Sequence, residues 1–185
     1  MTQLSTLYQR AEQLNIPVYH LPLPKTGSVS CMDRAGRCAI GLDLPHRRSR
    51  SELRVRLAHE LGHCVTGSFY NRWSGCDVRK LHENRADKYA VHVLIPETEL
   101  NAAVSEGYTE QWELADYFGV DEAFLKKAVC LYTHGNLAAE LYYCSQKETP
   151  GSLVITKPPG FFLYFISLRI PAPARSPLAP PFRWR

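Results

Sequence analysis

The five residues His59-Glu60-Leu61-Gly62-His63 constrain this chain more than any other feature. Two histidines four positions apart share one face of a helix, a turn from each other, and in no other regular structure do they stand side by side. There, two imidazole nitrogens can hold one zinc ion. The glutamate between them is placed beside the ion, where its carboxylate can take a proton from bound water. The pattern points to metal-dependent hydrolysis, above all of peptides. The plain alternative is a buried helix carrying two hydrogen-bonded histidines.

The flanking residues support a helix. Ser49 and Glu52 have capping-box spacing, with Ser49 at the N-cap. Leu53, Leu57, Leu61 and Val65 form one apolar stripe, Arg54 and Arg56 fall off it into solvent, and Gly67 is placed to end the helix in the left-handed conformation. A catalytic zinc needs a third protein ligand and an open position. The segment from Lys80 to Ile95 reads as a second helix, stopped before Pro96. Glu83, Ala86, Asp87 and Ala90 share one of its faces. The two alanines permit close approach by another helix, Glu83 is the third-ligand candidate, and Asp87 can accept the free N–H of a metal-bound histidine. His82 and His92 are rival ligands; His82 points about 100° away from Glu83 around the helix. For the oxyanion of a peptide-cleaving reaction, Tyr70, His82 and Tyr89 are the candidate donors.

The segments LAHELGHCVTGSFYN (Leu57 to Asn71) and ENRADKYAVHVLIP (Glu83 to Pro96) resemble the ImmA/IrrE-type metallopeptidases of bacteria and their mobile elements. Weaker likeness extends from about residue 15 to residue 130. The resemblance implies a minimal gluzincin with one zinc on His59, His63 and Glu83, Glu60 as catalytic base, and Asp87 where gluzincins keep an aspartate behind a ligand histidine. It also implies a protein substrate, a helix-turn-helix repressor whose cleavage releases a mobile element or a stress regulon. The competing reading is a non-catalytic regulator that binds a repressor or DNA through a helix-turn-helix-like region. A third is an interaction protein acting through its C-terminal tail.

The rest of the chain fixes the expected architecture. Val18–Leu21, Val29–Met32 and Cys38–Leu42 read as strands, the last two joined near Asp33-Arg34-Ala35-Gly36. Leu4, Leu7, Ala11 and Leu14 fit a short amphipathic helix. Residues 109–130 contain two helical patterns around Ala115 and Gly119, as in a helix-turn-helix, but Asp121, Glu122, Lys126 and Lys127 give the second one no basic bias. These patterns make the fold class α+β, and the resemblance implies a small zincin-like domain with a short sheet, the HExxH helix and a C-terminal helix-turn-helix-like unit, spanning residues 1–144. In zincins of this type an edge strand pairs with an extended substrate.

Residues 145–185 differ in character. They hold eight of the thirteen prolines, six Lys/Arg against one acid, and the apolar run Phe161–Ile166, which is too short to span a bilayer. Of the net charge of +4, the tail contributes +5, leaving −1 on residues 1–144, which argues against direct nucleic-acid binding by the catalytic part. The N-terminus lacks a charged start followed by an apolar run, so a cytoplasmic protein without membrane attachment is expected. The six cysteines include no CxxC pair and suit reduced thiols; Cys31 and Cys38 could meet across the hairpin but are expected to serve core packing instead, and Cys64 is expected in the core. The basic run Pro45–Arg50 reads as a solvated loop or a docking patch for an acidic segment.

Overall fold

A computed structural model of the protein describes residues 2–137 apart from 45, 47 and 72. The tail at 145–185, and the expectations attached to it, lie outside the described residues. Among those described, six helices and one three-stranded sheet make an α+β fold consistent with a small zincin-like domain. None of these helices is long and apolar enough to cross a membrane.

Helix α1 (Leu4–Gln13) buries Leu7 and Ala11, whereas Leu14 serves as its C-cap and is exposed. Strands β1 (Val18–Leu21), β2 (Ser28–Met32) and β3 (Cys38–Asp43) follow, in the order β1-β3-β2. The central strand pairs parallel with β1 and antiparallel with β2. The β2–β3 turn is held by the Asp33 carboxylate, which accepts from the Ala35 and Arg37 amides, while Gly36 takes the positive φ of 79° that the turn requires. Cys31 pairs with Ala39, and Met32 with Cys38, so alternation along the strands sends Cys31 and Cys38 to opposite faces. The two thiols do not meet across the hairpin, and only Cys38 packs against the core: Cys31, on the other face, is exposed.

Helix α2 (Arg50–Thr66) carries the HExxH run. Ser49 Oγ accepts the Glu52 amide at 3.1 Å, and Gly67 closes the helix at φ 62°. The capping box forms only in this one direction, because the Glu52 carboxylate turns to Arg48 and Arg56. Leu53, Leu57 and Leu61 enter the core together with Ile40 and Leu42 of β3. Two expectations fail here. Val65 is exposed, since the last turn of α2 runs beyond the core. Arg54 is buried rather than solvated: its guanidinium donates to the carbonyls of Phe118 and Gly119 at 2.9 and 2.7 Å and to Thr2 O at 2.6 Å. Carbonyls left over at a helix C-terminus satisfy a cation well, and this offsets the cost of burying it. In the basic run, Arg48 is no docking group either, being tied to the buried Asp43 at 3.0 Å and to Glu52.

Helix α3 (Cys76–Leu94) begins four residues earlier than its sequence pattern indicates and ends before Pro96. It packs along α2. At Gly62 the two backbones nearly touch: a Cβ there would lie 2.6 Å from the Ala86 carbonyl oxygen. Gly62, Ala86 and Ala90 are thus the small residues that let α2 and α3 lie side by side, and both alanines are fully buried. Helices α4 (Glu97–Ser105), α5 (Gln111–Phe118) and α6 (Glu122–His134) complete the core. Gly119, at φ 58°, turns the chain between α5 and α6, and Asp121 caps α6 by accepting the Phe124 amide at 2.7 Å. The expected helix-turn-helix-like unit is present only as a pair of packed helices. Leu114, Ala115, Phe118, Phe124 and Leu125 send its inner faces into the shared core.

Candidate active site

A cleft of about 620 Å³ opens over the face of α2 that carries His59, Glu60 and His63. Its base is formed by Val55, His59, Glu60 and His63 of that helix, with Glu83 and Asp87 from α3. One wall is Ser28, Val29 and Ser30 of β2; another is Asp121, Phe124 and Lys127 from α6 and the residue before it; Ser68, Phe69 and Tyr70 close the end.

Inside it the two helices bring three electron-pair donors together. His59 Nε2 lies 3.0 Å from His63 Nε2 and 3.2 Å from Glu83 Oε2, and His63 Nε2 lies 3.5 Å from Glu83 Oε1. Ligands about 2.0–2.1 Å from a tetrahedral zinc are separated by roughly 3.3 Å, so these spacings suit that ion. The outer nitrogens settle the tautomers. His63 Nδ1 donates to the Ser68 carbonyl at 2.6 Å, and His59 Nδ1 donates to Asp87 Oδ1 at 2.8 Å. With both Nδ1 atoms protonated, both Nε2 lone pairs point at one another and at a carboxylate. Such a donor set is stable only with a cation or a proton among its members.

The ionisable groups respond accordingly. Burial pulls the His59 imidazole down, but hydrogen bonds to Asp87 and Glu83 and the charges of Asp87 and Glu60 outweigh it and hold the group at about 9. Glu83 is held below the usual carboxylate range by hydrogen bonds from His59 and His63, against burial, with Tyr70 adding to the effect. Burial raises Asp87, yet His59 and Lys127 beside it leave the carboxyl lowered on balance. Tyr70 donates to Glu83 Oε1 at 2.6 Å, and that bond, followed by burial, pushes its hydroxyl up to about 12.

Of the residues singled out by sequence, His59, Glu60, His63, Glu83, Asp87 and Tyr70 all line this cleft. His59, His63 and Glu83 form the group able to hold a metal ion among the described residues. Glu60, buried at 6% exposure, stands between the two histidines in sequence and lines the same cleft. His82 and Tyr89 are not brought into it. The His82 ring packs near Tyr70, with centroids 6.2 Å apart, and the Tyr89 hydroxyl accepts from Arg10 Nε at 2.7 Å on the α1 side. His92 pairs with Tyr132 elsewhere. Cys64 turns away from the cleft and packs against the core beside Cys38; burial first, then the Cys38 thiol, pushes its thiol up.

Two members of the site escaped the sequence reading. The Ser68 acceptor is a backbone carbonyl, which no residue type announces. Lys127 donates to Asp87 Oδ2 at 2.7 Å from a helix 40 residues further on. A lysine in a charge-balanced helix gives no hint of that reach.

The fold and donor set define a small α+β domain whose His59, His63 and Glu83 could hold a metal ion. The chain matches the family model of the IrrE N-terminal-like domain, peptidase M78, over residues 11–129, and it belongs to that family. No curated protein matches it. Membership suggests a zinc metallopeptidase with a protein substrate.

Proposed function

We propose that this protein is a zinc-dependent endopeptidase of the cytoplasm that cleaves a helix-turn-helix-type repressor of a mobile element or stress regulon. One observation carries the catalytic part: His59, His63 and Glu83 converge on a single point while Glu60 lines the same cleft. A bound zinc ion would supply a lowered pKa for water and polarisation of the scissile carbonyl. The residues then divide the work. His59, His63 and Glu83 hold the ion, leaving a fourth position for water or substrate. Glu60 accepts the water proton and returns it to the departing amine. Asp87 and the Ser68 carbonyl fix the ring orientations of the two histidines. Tyr70 is the candidate oxyanion donor that lines the cleft, reached by exchanging its bond to Glu83 for one to substrate.

The substrate class is supported by β2. Among the described residues this strand is hydrogen-bonded to β3 alone, and Ser28, Val29 and Ser30 border the cleft, so its outer edge can add an extended peptide beside Glu60. The repressor target rests on family resemblance.

Glu60→Gln tests the reading. Incubated with candidate helix-turn-helix repressors and followed by mass spectrometry, wild-type protein should cut one of them at a defined bond. Glu60→Gln should retain about one zinc per chain by metal analysis and lose roughly 10²–10⁴-fold in rate. Cutting by the variant at the wild-type rate would remove Glu60 as the base. Wild-type protein that takes up no zinc would overturn the metallopeptidase reading itself.

A further inference from the structure

We propose that Lys127 is a positioning residue of the metal centre, acting through Asp87 to hold His59 in its ligating orientation. The inference rests on the zinc-site reading above and adds a residue from a different helix to it.

Asp87 has two carboxylate oxygens, and both are engaged. Oδ1 accepts from His59 Nδ1 at 2.8 Å, and Oδ2 accepts from Lys127 Nζ at 2.7 Å. The two donors come from α2 and α6, on either side of α3. Rotating the carboxylate about its Cβ–Cγ bond would stretch both contacts at once, so each bond restrains the other. With the lysine removed, one oxygen would be free, and the carboxylate could swing while still touching His59 poorly.

An ion pair at a protein surface is ordinarily worth little. Two features separate this one from that case. The Asp87 side chain is only 15% exposed, so water has poor access to replace the lysine. Lys127 itself is well anchored at its base: Leu125, Ala128 and Leu131 of the same helix are buried in the core, and Asp121 caps the helix start. The ammonium, on a side chain 42% exposed, therefore reaches the carboxylate from a fixed backbone position. A line of contacts runs from α6 through α3 to α2 and ends on the outer nitrogen of a proposed ligand histidine.

The experiment is zinc affinity of the metal-free full chain, measured by competition with a chelating dye, together with the visible spectrum of the cobalt-substituted protein. Partners behind a metal-bound histidine typically change metal affinity by 10–100-fold. Lys127→Met should weaken zinc by about tenfold, at the low end of that range, and shift the cobalt bands, while Lys127→Arg should restore most of both. The double variant Asp87→Asn/Lys127→Met should bind zinc no more weakly than Asp87→Asn alone, because the lysine acts through that carboxylate. Wild-type affinity and spectrum in Lys127→Met would overturn the proposal, as would additive losses in the double variant. Circular dichroism of each variant identifies a fall due to unfolding, which the additivity test then assigns to a structural role, against the proposal. Wild-type protein that binds zinc but cuts nothing would sink the peptidase reading and leave Lys127 in place; wild type without zinc affinity would sink both.

Discussion

The two histidines of the HExxH run are supported in opposite ways. His63 is held by its own neighbourhood: its Nδ1 donates to Ser68 O five residues on, and the Ser68 amide donates back to His63 O at 3.0 Å. Thr66 Oγ1 adds a bond to Ser68 Oγ at 2.6 Å. The end of α2 thus builds its own brace, and that brace exists as soon as Gly67 turns the chain. His59 is held from afar, by Asp87 on α3 and behind it Lys127 on α6, 28 and 40 residues apart in successive steps. One proposed ligand is oriented by local structure, the other by tertiary structure. Anything that loosens the packing of α3 or α6 should therefore reach the metal through His59 first.

The largest effect on this contrast should come from removing the donor that both histidines share. Glu83→Ala leaves two ligands instead of three, and zinc content by metal analysis should fall from about one per chain to a small fraction. Retained stoichiometric zinc would move the third ligand elsewhere. Next in size, Asp87→Asn should weaken zinc by about 10–100-fold, as a neutral amide supports the imidazole less well. Equal affinity in dye competition would show that His59 needs no distant partner.

Gly62→Ala attacks the packing behind the contrast. The added methyl meets the Ala86 backbone, so α2 and α3 must separate, at a cost of about 1–3 kcal/mol in denaturant unfolding. Zinc affinity should drop with it, since Glu83 and Asp87 move with α3. An unchanged unfolding midpoint would mean that the helices have slack at this contact.

A subtler signature lies in protons. In metal-free protein His59 sits at about 9, above its ordinary value, so at pH 7.5 it is charged. The stability it contributes is complete below about pH 6.5 and is lost as pH rises through about 9. Zinc takes the neutral imidazole, so binding at pH 7.5 should release close to one proton per ion, and the release should fade above pH 9. Calorimetry in buffers of different ionisation enthalpy measures that number; no release at pH 7.5 would contradict the charged state. Smallest of all should be Ser68→Ala. Its His63 contact is a backbone carbonyl, so zinc affinity should stay within about threefold of wild type, and a loss on the scale of Asp87→Asn would erase the local-versus-distant distinction.

Local chemistry explains what could be read in advance. Ser49, Gly67 and Pro96 mark helix ends through caps and backbone preferences that act within a few residues, and the helices stop where those residues stand. The histidine pair and the Glu83–Asp87 face follow from helical periodicity alone. The misses concern groups whose partners are distant. Arg54 looks solvated until α5 ends against it, 64 residues later, and presents two carbonyls. Val65 continues an apolar stripe, but among the described residues nothing packs over that turn closely enough to bury it. Tyr89 and His82 share a helix with Glu83, yet their angles around it send them to α1 and to Tyr70 instead.

The backbone contact at Gly62 also sets a scale. His59 and His63 stand on α2 and Glu83 on α3, so the close approach of the two helices limits how far apart the three donors stand. A contact of backbone against backbone has no side chain to compress or extend. Filled as proposed, the site would act as a gauge of ionic radius. A small ion that accepts four ligands at short range fits it, whereas calcium, which wants six to eight oxygens at about 2.3–2.6 Å, would require the helices to part.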